Sequence, residues 1–203
     1  MRALVIGGHT RNIGKTALVC DVIRAFPQAE WTAVKITQYG HGVCSINGEH
    51  CGCAPQEHAF SLDEERDRSN RTDTSRFLVA GARRALWLRT KQGQLAEAMP
   101  RLCEELAPAG NVIIESNSVL GFLKPQLYLA VLHPKEADFK ESARKFLDLA
   151  AGYVLRDSPA EGAVHKEAPA KILANKPRFV QSIGDELPRD LQDFIEREFF
   201  ERS

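Results

Sequence analysis

The chain has 203 residues, 43% hydrophobic and 27% charged, and its 27 basic residues balance its 27 acidic ones. This mixture is typical of a soluble globular protein, here one domain spanning residues 1–203, and a neutral chain lacks the basic surplus expected of a nucleic-acid-binding protein. Its longest apolar run, Leu127–Leu132, is far shorter than the ~20 residues of a membrane span, and we find no signal-peptide core. We therefore expect a cytoplasmic protein without nucleic-acid or membrane partners.

Apolar runs of strand length alternate with helical patterns along the chain. Several of the runs are continuously apolar, as strands buried on both faces of a parallel sheet are. The predicted strands are Ala3–Ile6, Trp31–Ile36, Ala85–Leu88, Val112–Ile114, Leu127–Leu132, Tyr153–Leu155 and the weaker Phe179–Val180. Apolar residues at helical spacing occupy residues 18–26, 95–106, 139–150 and 191–199. This alternation predicts an α/β fold, a three-layer α/β/α sandwich with a mostly parallel sheet.

Two stretches interrupt this alternation. Residues 37–71 are polar, rich in Gly and Cys, and densely charged from Asp63 to Arg68. A structureless loop of that length inside a compact domain is uncommon unless it has a function, so we interpret it as a functional insertion. The second stretch, Ser158–Pro177, contains three prolines and is predicted to be a surface excursion.

The first predicted strand runs into the loop Gly7–Thr16, GGHTRNIGKT, and a helix follows at once. Glycine backbone can approach phosphate oxygens closely, and the N–H groups at a helix start point towards them. Lys15 would hold the β- and γ-phosphates and Thr16 would bind Mg²⁺. The alternative is a chance Gly-Lys-Thr in a turn. The predicted nucleotide-binding residues are Gly8, Asn12, Ile13, Gly14, Lys15, Thr16 and Ala17.

The nine-residue loop Gly8–Thr16 resembles that of dethiobiotin synthetase, and later segments resemble the MobB proteins of molybdopterin-guanine dinucleotide biosynthesis. The resemblance covers residues 1–133 and departs at His9, at residues 37–71 and at Ser116–Ser118, where MobB has glycine. It implies a P-loop NTPase fold. The matching segments after the loop are Lys35, Asp73–Arg76 with Ala80–Ala82, Val112–Glu115, and Leu123–Pro125 before the run Leu127–Leu132.

The same resemblance implies catalytic roles for Lys15, Lys35, Asp73 and Glu115, with Thr16, Asp73 and Glu115 serving Mg²⁺. Each position also has a structural interpretation. Asp73 is a candidate N-cap for a helix that Gly81 would end. Glu115 is a candidate solvated strand end, and Lys35 a candidate surface lysine.

Three cysteines and three histidines fall within residues 41–58. Cys44, Cys51 and Cys53 with one histidine would form a tetrahedral zinc site, with His58 the first choice for the fourth ligand and His41 the second. An iron–sulfur cluster with a non-cysteine ligand and free thiols are the alternatives.

Three functions fit these motifs. A MobB-like protein would bind Mg²⁺ and GTP, hydrolyse it slowly and assist a protein partner in cofactor biosynthesis. An enzyme like dethiobiotin synthetase would use ATP to activate a small molecule. A metal carrier would release the metal of the cysteine cluster according to nucleotide state.

Two further expectations concern the oligomeric state and the nucleotide base. The P-loop class implies a homodimer. Asn175-Lys176 resembles half of a guanine-reading Asn-Lys-x-Asp motif, although Arg178 stands where the motif has its Asp, and an ordinary turn is the alternative.

Overall fold

The computed structural model describes residues 1–39, 59–133, 136, 138–156 and 175–202. Eight strands in these ranges form one sheet. They are β1 Arg2–Gly8, β2 Thr32–Tyr39, β3 Phe60–Glu64, β4 Arg84–Lys91, β5 Asn111–Glu115, β6 Leu127–Leu132, β7 Gly152–Leu155 and β8 Arg178–Val180. Their order across the sheet is β3-β4-β2-β5-β1-β6-β7-β8, and every pairing is parallel except that of β3 with β4.

Five α-helices connect these strands within the described ranges. They are α1 Lys15–Ala25, α2 Asp73–Ala80, α3 Leu95–Leu106, α4 Glu141–Phe146 and α5 Arg189–Ile195, which continues as a π-helix over Glu196–Glu201. The start of α2 is capped by Thr72, whose hydroxyl accepts the N–H of Ser75, and its end by Gly81 at φ 112°. Thr72 is thus the N-cap, and Asp73 is the first helical residue. None of the helices in the described residues is both long and apolar enough to cross a membrane.

The sheet separates two hydrophobic cores. Leu4 and Ile6 of β1 pack on one face with α1, α2 and α5, whereas Val5 packs on the other face with α3 and with Ala143 of α4. Successive strand residues point to opposite faces, and every one of these three is fully buried. The predicted three-layer sandwich with a mostly parallel sheet is confirmed, and all seven predicted strands are present.

The predicted insertion is partly regular structure. β2 extends to Tyr39 and β3 occupies Phe60–Glu64, so residues 37–39 and 60–64 of the predicted loop are strand, whereas residues 65–71 lie outside helices and strands. The charges of β3 are explained by cross-strand ion pairs with β4, since Glu64 lies 2.7 Å from Arg84 and Asp63 lies 2.6 Å from Arg89. Charged side chains also suit an edge strand, because they discourage pairing with other chains.

The strand order reverses at β1, which lies between β5 and β6. In open parallel sheets, ligands bind beyond the carboxyl ends of the strands at such a switch point. Gly8, Glu115 and Val131 lie at the carboxyl ends of these three strands, where Gly8 is paired with Val131 and Ile6 with Glu115. The fold therefore brings the glycine loop and the predicted acidic residue to one edge.

Candidate functional site

The glycine loop joins the end of β1 to the start of α1. Asn12 at φ 55° and Gly14 at φ 85° adopt the left-handed conformation, which reverses the chain into the helix. Within the described residues, no side chain caps the start of α1, and its first turn contains no acidic residue. The first N–H groups of α1 and the positive end of its dipole therefore suit an anion.

The end of β1 is held by an asparagine that the sequence analysis missed. The side-chain amide of Asn117 donates to the Gly8 carbonyl at 2.8 Å, and its Oδ1 accepts the Gly8 N–H at 2.9 Å. A Cβ at Gly7 would lie 2.1 Å from that same Oδ1, so only glycine fits there. Because the Gly8 N–H already donates to Asn117, it is not available to a phosphate. Gly8 would instead contribute by letting the backbone approach the phosphate closely.

His9 docks the loop against the β6–α4 connection, of which the structure describes His133, Glu136 and Asp138–Lys140. Its ring is fully buried, its Nε2 hydrogen-bonds the Glu136 carbonyl at 3.2 Å, and its own carbonyl accepts the Lys140 N–H at 2.9 Å. The neighbouring Thr10 hydroxyl donates to Asp138 at 2.5 Å. The departure from the common loop pattern at His9 therefore has a structural reason, because this residue is used for docking.

Lys15 lies at the centre of the loop. Its ammonium group donates to the Thr10 carbonyl at 2.5 Å. Burial lowers the pKa of Lys15 to about 8; the Glu115 carboxylate opposes this effect and the Lys35 ammonium adds to it. A phosphate placed beside Lys15 would favour the charged ammonium.

The predicted acidic residues and Lys35 form one cluster with Thr16. Glu115, 3% exposed, accepts the Thr16 hydroxyl at 2.8 Å and the Lys35 ammonium at 2.5 Å. The same ammonium lies 2.9 Å from Asp73. The interpretations of Glu115 as a solvated strand end, of Lys35 as a surface lysine and of Asp73 as an N-cap are therefore wrong.

These contacts shift the pKa values of Lys35 and Asp73 in the direction that keeps each of them charged. Burial alone would lower the pKa of Lys35, but the carboxylates of Glu115 and Asp73 outweigh it and raise the pKa. Burial alone would raise the pKa of Asp73, yet the Lys35 ammonium, with smaller effects of Arg76 and Thr16, lowers it. Both shifts favour the charged forms of Lys35 and Asp73 at neutral pH.

The oxygen donors of the cluster suit Mg²⁺, which prefers hydroxyl and carboxylate oxygens. Thr16, Asp73 and Glu115 would supply these donors, and Lys35 would share the carboxylates with the ion. Among the described residues, no three His, Cys, Asp or Glu side chains lie together as a ready metal site. The predicted zinc ligands, Cys44, Cys51, Cys53 and His58, and the second choice His41, lie outside the described residues.

A buried arginine, which the sequence analysis also missed, supports the end of the loop. Arg156 follows β7, is 1% exposed, and donates from Nη2 to the Gly14 carbonyl at 2.7 Å. Its Nη1 donates to Gln181 Oε1 at 3.0 Å, and the Gln181 amide donates in turn to Asp21 of α1 at 2.9 Å. Burial raises the pKa of Asp21. This network links the ends of β7 and β8 to the left-handed Gly14.

Asn175 and Lys176 lie away from this site. They precede β8, which runs parallel to β7, and so lie at the amino-terminal edge of the sheet. Lys176 donates to the backbone carbonyl of Asp148. The half-motif is therefore part of a turn at the edge opposite the glycine loop, and its interpretation as a base-reading element was wrong.

Comparison with known proteins finds no matching family model and no matching curated protein. Among solved structures, HypB from Helicobacter pylori in complex with nickel aligns with 96% of this chain and 86% of its own, at 14% identity and a TM-score of 0.49. The signal recognition particle receptor FtsY from Elizabethkingia anophelis in complex with GDP aligns at 13% identity and a TM-score of 0.43. That alignment covers 99% of this chain but only 64% of FtsY. Similarity at this level does not identify a function. The described strands and helices give the fold class, a three-layer α/β sandwich with a mostly parallel sheet, whereas assignment to the P-loop NTPases and the resemblance to MobB and dethiobiotin synthetase stay predictions.

Proposed function

We propose that this chain is a Mg²⁺-dependent nucleoside-triphosphate-binding protein of the MobB type, which binds GTP or ATP, hydrolyses it slowly and serves cofactor biosynthesis with a protein partner. The observation that carries the proposal is the start of α1, which no described side chain caps, with Lys15 in its first turn and Thr16 in contact with the Glu115–Lys35–Asp73 network of β5, β2 and α2. A positive helix end next to paired carboxylates suits a magnesium-bound polyphosphate.

Each group has a defined task in this proposal. The N–H groups of Gly14–Ala17 and the Lys15 ammonium bind the phosphate oxygens, while Thr16, Asp73 and Glu115 hold Mg²⁺ directly or through water. When bound, Mg²⁺ would neutralise charge on the phosphates and polarise the bond that breaks. Lys35 orients Glu115 through the 2.5 Å contact.

We expect slow hydrolysis because the Glu115 carboxylate is already occupied by two hydrogen-bond donors. Both of its carboxylate oxygens already accept a hydrogen bond, one from Thr16 and one from Lys35. Neither oxygen can therefore bind an attacking water without sharing or giving up its present donor. We therefore expect low turnover by the chain alone and faster turnover with a partner.

The direct test is a calorimetric titration of Mg·GTP and of Mg·ATP into the wild-type protein. The Lys15→Ala variant should bind at least roughly tenfold more weakly, about 1.4 kcal/mol, since a charged hydrogen bond contributes about 1.5–3 kcal/mol. Lys124→Ala, which removes an exposed lysine, is the matched control. Binding of neither nucleotide would refute the proposal; tight ATP binding with turnover driven by one metabolite would favour an enzyme like dethiobiotin synthetase.

The zinc site is a separate proposal that rests on the sequence alone. Cys44, Cys51, Cys53 and His58 are the proposed ligands, and metal analysis of the purified protein is the test. If the paired substitution Cys44→Ser and Cys51→Ser leaves the zinc content unchanged, the site and the metal-carrier function are both excluded. A homodimer, also proposed from resemblance, is tested by sedimentation with and without nucleotide.

A further inference from the structure

The geometry points to Lys140 as a second ammonium group that binds the phosphates of the nucleotide, brought to the glycine loop by the β6–α4 connection. This inference rests on the proposed function and adds a residue from outside the loop and outside the Glu115–Lys35–Asp73 network. It stands on three observations: how the connection is attached to the loop, what surrounds the Lys140 ammonium, and how charge is balanced at this edge of the sheet.

The attachment involves three consecutive residues of the connection. Asp138 accepts the Thr10 hydroxyl at 2.5 Å, the Phe139 ring lies 5.2 Å from the His9 ring, and the Lys140 N–H donates to the His9 carbonyl at 2.9 Å. Lys140 is therefore held by its own backbone against the loop that would bind phosphate. A residue held this way contributes to binding with less loss of conformational freedom than a surface lysine.

The Lys140 ammonium is half-buried and lies among positive charges. In the described parts of the chain it makes no hydrogen bond or ion pair. Burial, together with the nearby charges of Lys15 and Arg11 and against a smaller effect of Asp138, lowers the pKa of Lys140 to about 8. A half-buried cation beside like charges is unfavourable unless an anion binds there.

The surrounding carboxylates are already engaged. Glu115 and Asp73 pair with Lys35, and Asp138 accepts the hydroxyl of Thr10. Because a hydroxyl donor does not neutralise Asp138, this one carboxylate offsets only part of the charge of Lys15 and Lys140, and a ligand of high negative charge density would balance the rest. A triphosphate supplies that charge next to Lys15, which is why we assign Lys140 to the nucleotide. It also gives the docking residue His9 a function, because docking fixes Lys140 in place.

The experiment compares Lys140→Met with Lys145→Met in titrations with whichever of Mg·GTP and Mg·ATP the wild-type protein binds more tightly. Lys145 is an exposed lysine of α4, five residues away, so both variants remove one positive charge from the same region. We expect Lys140→Met to weaken binding at least about tenfold, Lys145→Met to leave it within about twofold, and Lys140→Arg to retain most of it. Thermal unfolding of all three variants reports whether the fold is intact.

The outcomes separate this inference from the function on which it rests. If Lys15→Ala abolishes binding while Lys140→Met binds as the wild type does, the inference is overturned and the proposed function stands. If the wild-type protein binds neither nucleotide, the proposed function fails, and the inference with it. Unchanged nucleotide affinity in Lys140→Met, together with loss of turnover that depends on an anionic second substrate, would assign Lys140 to that substrate and also overturn the inference. Should Lys140→Met fail to fold, Lys140→Gln gives the same comparison.

Discussion

Removing Lys35 should destabilise the protein strongly, because it leaves a buried carboxylate without its partner. In Lys35→Met, Glu115 would keep the Thr16 hydroxyl but lose the ammonium 2.5 Å away, at a site where only 3% of its side chain is exposed. Breaking a buried ion pair costs about 3–5 kcal/mol, and we take the lower figure, about 3 kcal/mol, because Lys35 itself is 19% exposed. For a domain of this size that corresponds to a fall of roughly 6–12 °C in Tm.

The assay is urea and thermal unfolding of the protein without nucleotide, at neutral pH. The pKa of Lys35 is raised above 10.5 and that of Asp73 is lowered below 3.8. The stabilisation that their pairing gives the folded state is therefore fully present between pH 3.8 and pH 10.5. It is lost as pH falls through the lowered pKa of Asp73 or rises through the raised pKa of Lys35. Measurements near pH 7 therefore report the full effect.

The matched control is Arg83→Met, which removes one positive charge from an ion pair with Glu30 whose members are 68% and 69% exposed. That variant should lose less than about 1 kcal/mol. Adding Glu115→Gln to Lys35→Met should recover about 2 kcal/mol, because no unpaired charge then remains buried. If Lys35→Met costs no more than Arg83→Met, the reasoning about the buried pair is refuted.

Three further predictions concern the glycine loop. Since a phosphate raises the pKa of Lys15 from about 8, binding takes up a proton, and in Lys140→Met, which removes the other ammonium group with a pKa of about 8, triphosphate Kd should rise roughly tenfold between pH 7 and pH 9; an affinity flat across that range would contradict this. Gly7→Ala should lose about 1–3 kcal/mol in urea unfolding because its Cβ would meet Asn117 at 2.1 Å, whereas Gly110→Ala, with no atom within 4 Å, should stay within about 0.5 kcal/mol. Arg156→Met leaves the carbonyl at the end of the loop without its 2.7 Å donor and should weaken nucleotide binding roughly tenfold in calorimetry; wild-type affinity would show that this arginine does not position the loop.

Most of the fold could be predicted because its signal is local. Several strands are continuously apolar, as strands buried on both faces of a parallel sheet are, and all seven apolar runs recognised in the sequence correspond to strands. The edge strand β3 was missed, since what stabilises its charged residues is the pairing of Glu64 and Asp63 with arginines of β4 that lie 20 and 26 positions away. A local pattern does not contain that information.

The residues of the candidate site were likewise predicted only where their signal is local or carried by a resemblance. Lys15 and Thr16 belong to a compact motif, and resemblance pointed to Lys35, Asp73 and Glu115, which the fold brings together. Asn117 and Arg156 contact the loop across 109 and 142 positions of sequence, and neither lies in a recognisable pattern. Their roles depend on the strand order, which places the ends of β5 and β7 near the end of β1.

The central position of β1 has a consequence for how the chain acquires its structure during synthesis. β1 is made first, yet its hydrogen-bonding partners are β5 and β6, and Gly8 is paired with Val131. At about 5–20 residues per second, roughly 6–25 seconds pass before those partners emerge from the ribosome. The apolar residues Leu4–Ile6 would therefore lack these partners until β5 and β6 have been made, and the glycine loop acquires its final shape only after both strands have paired with β1.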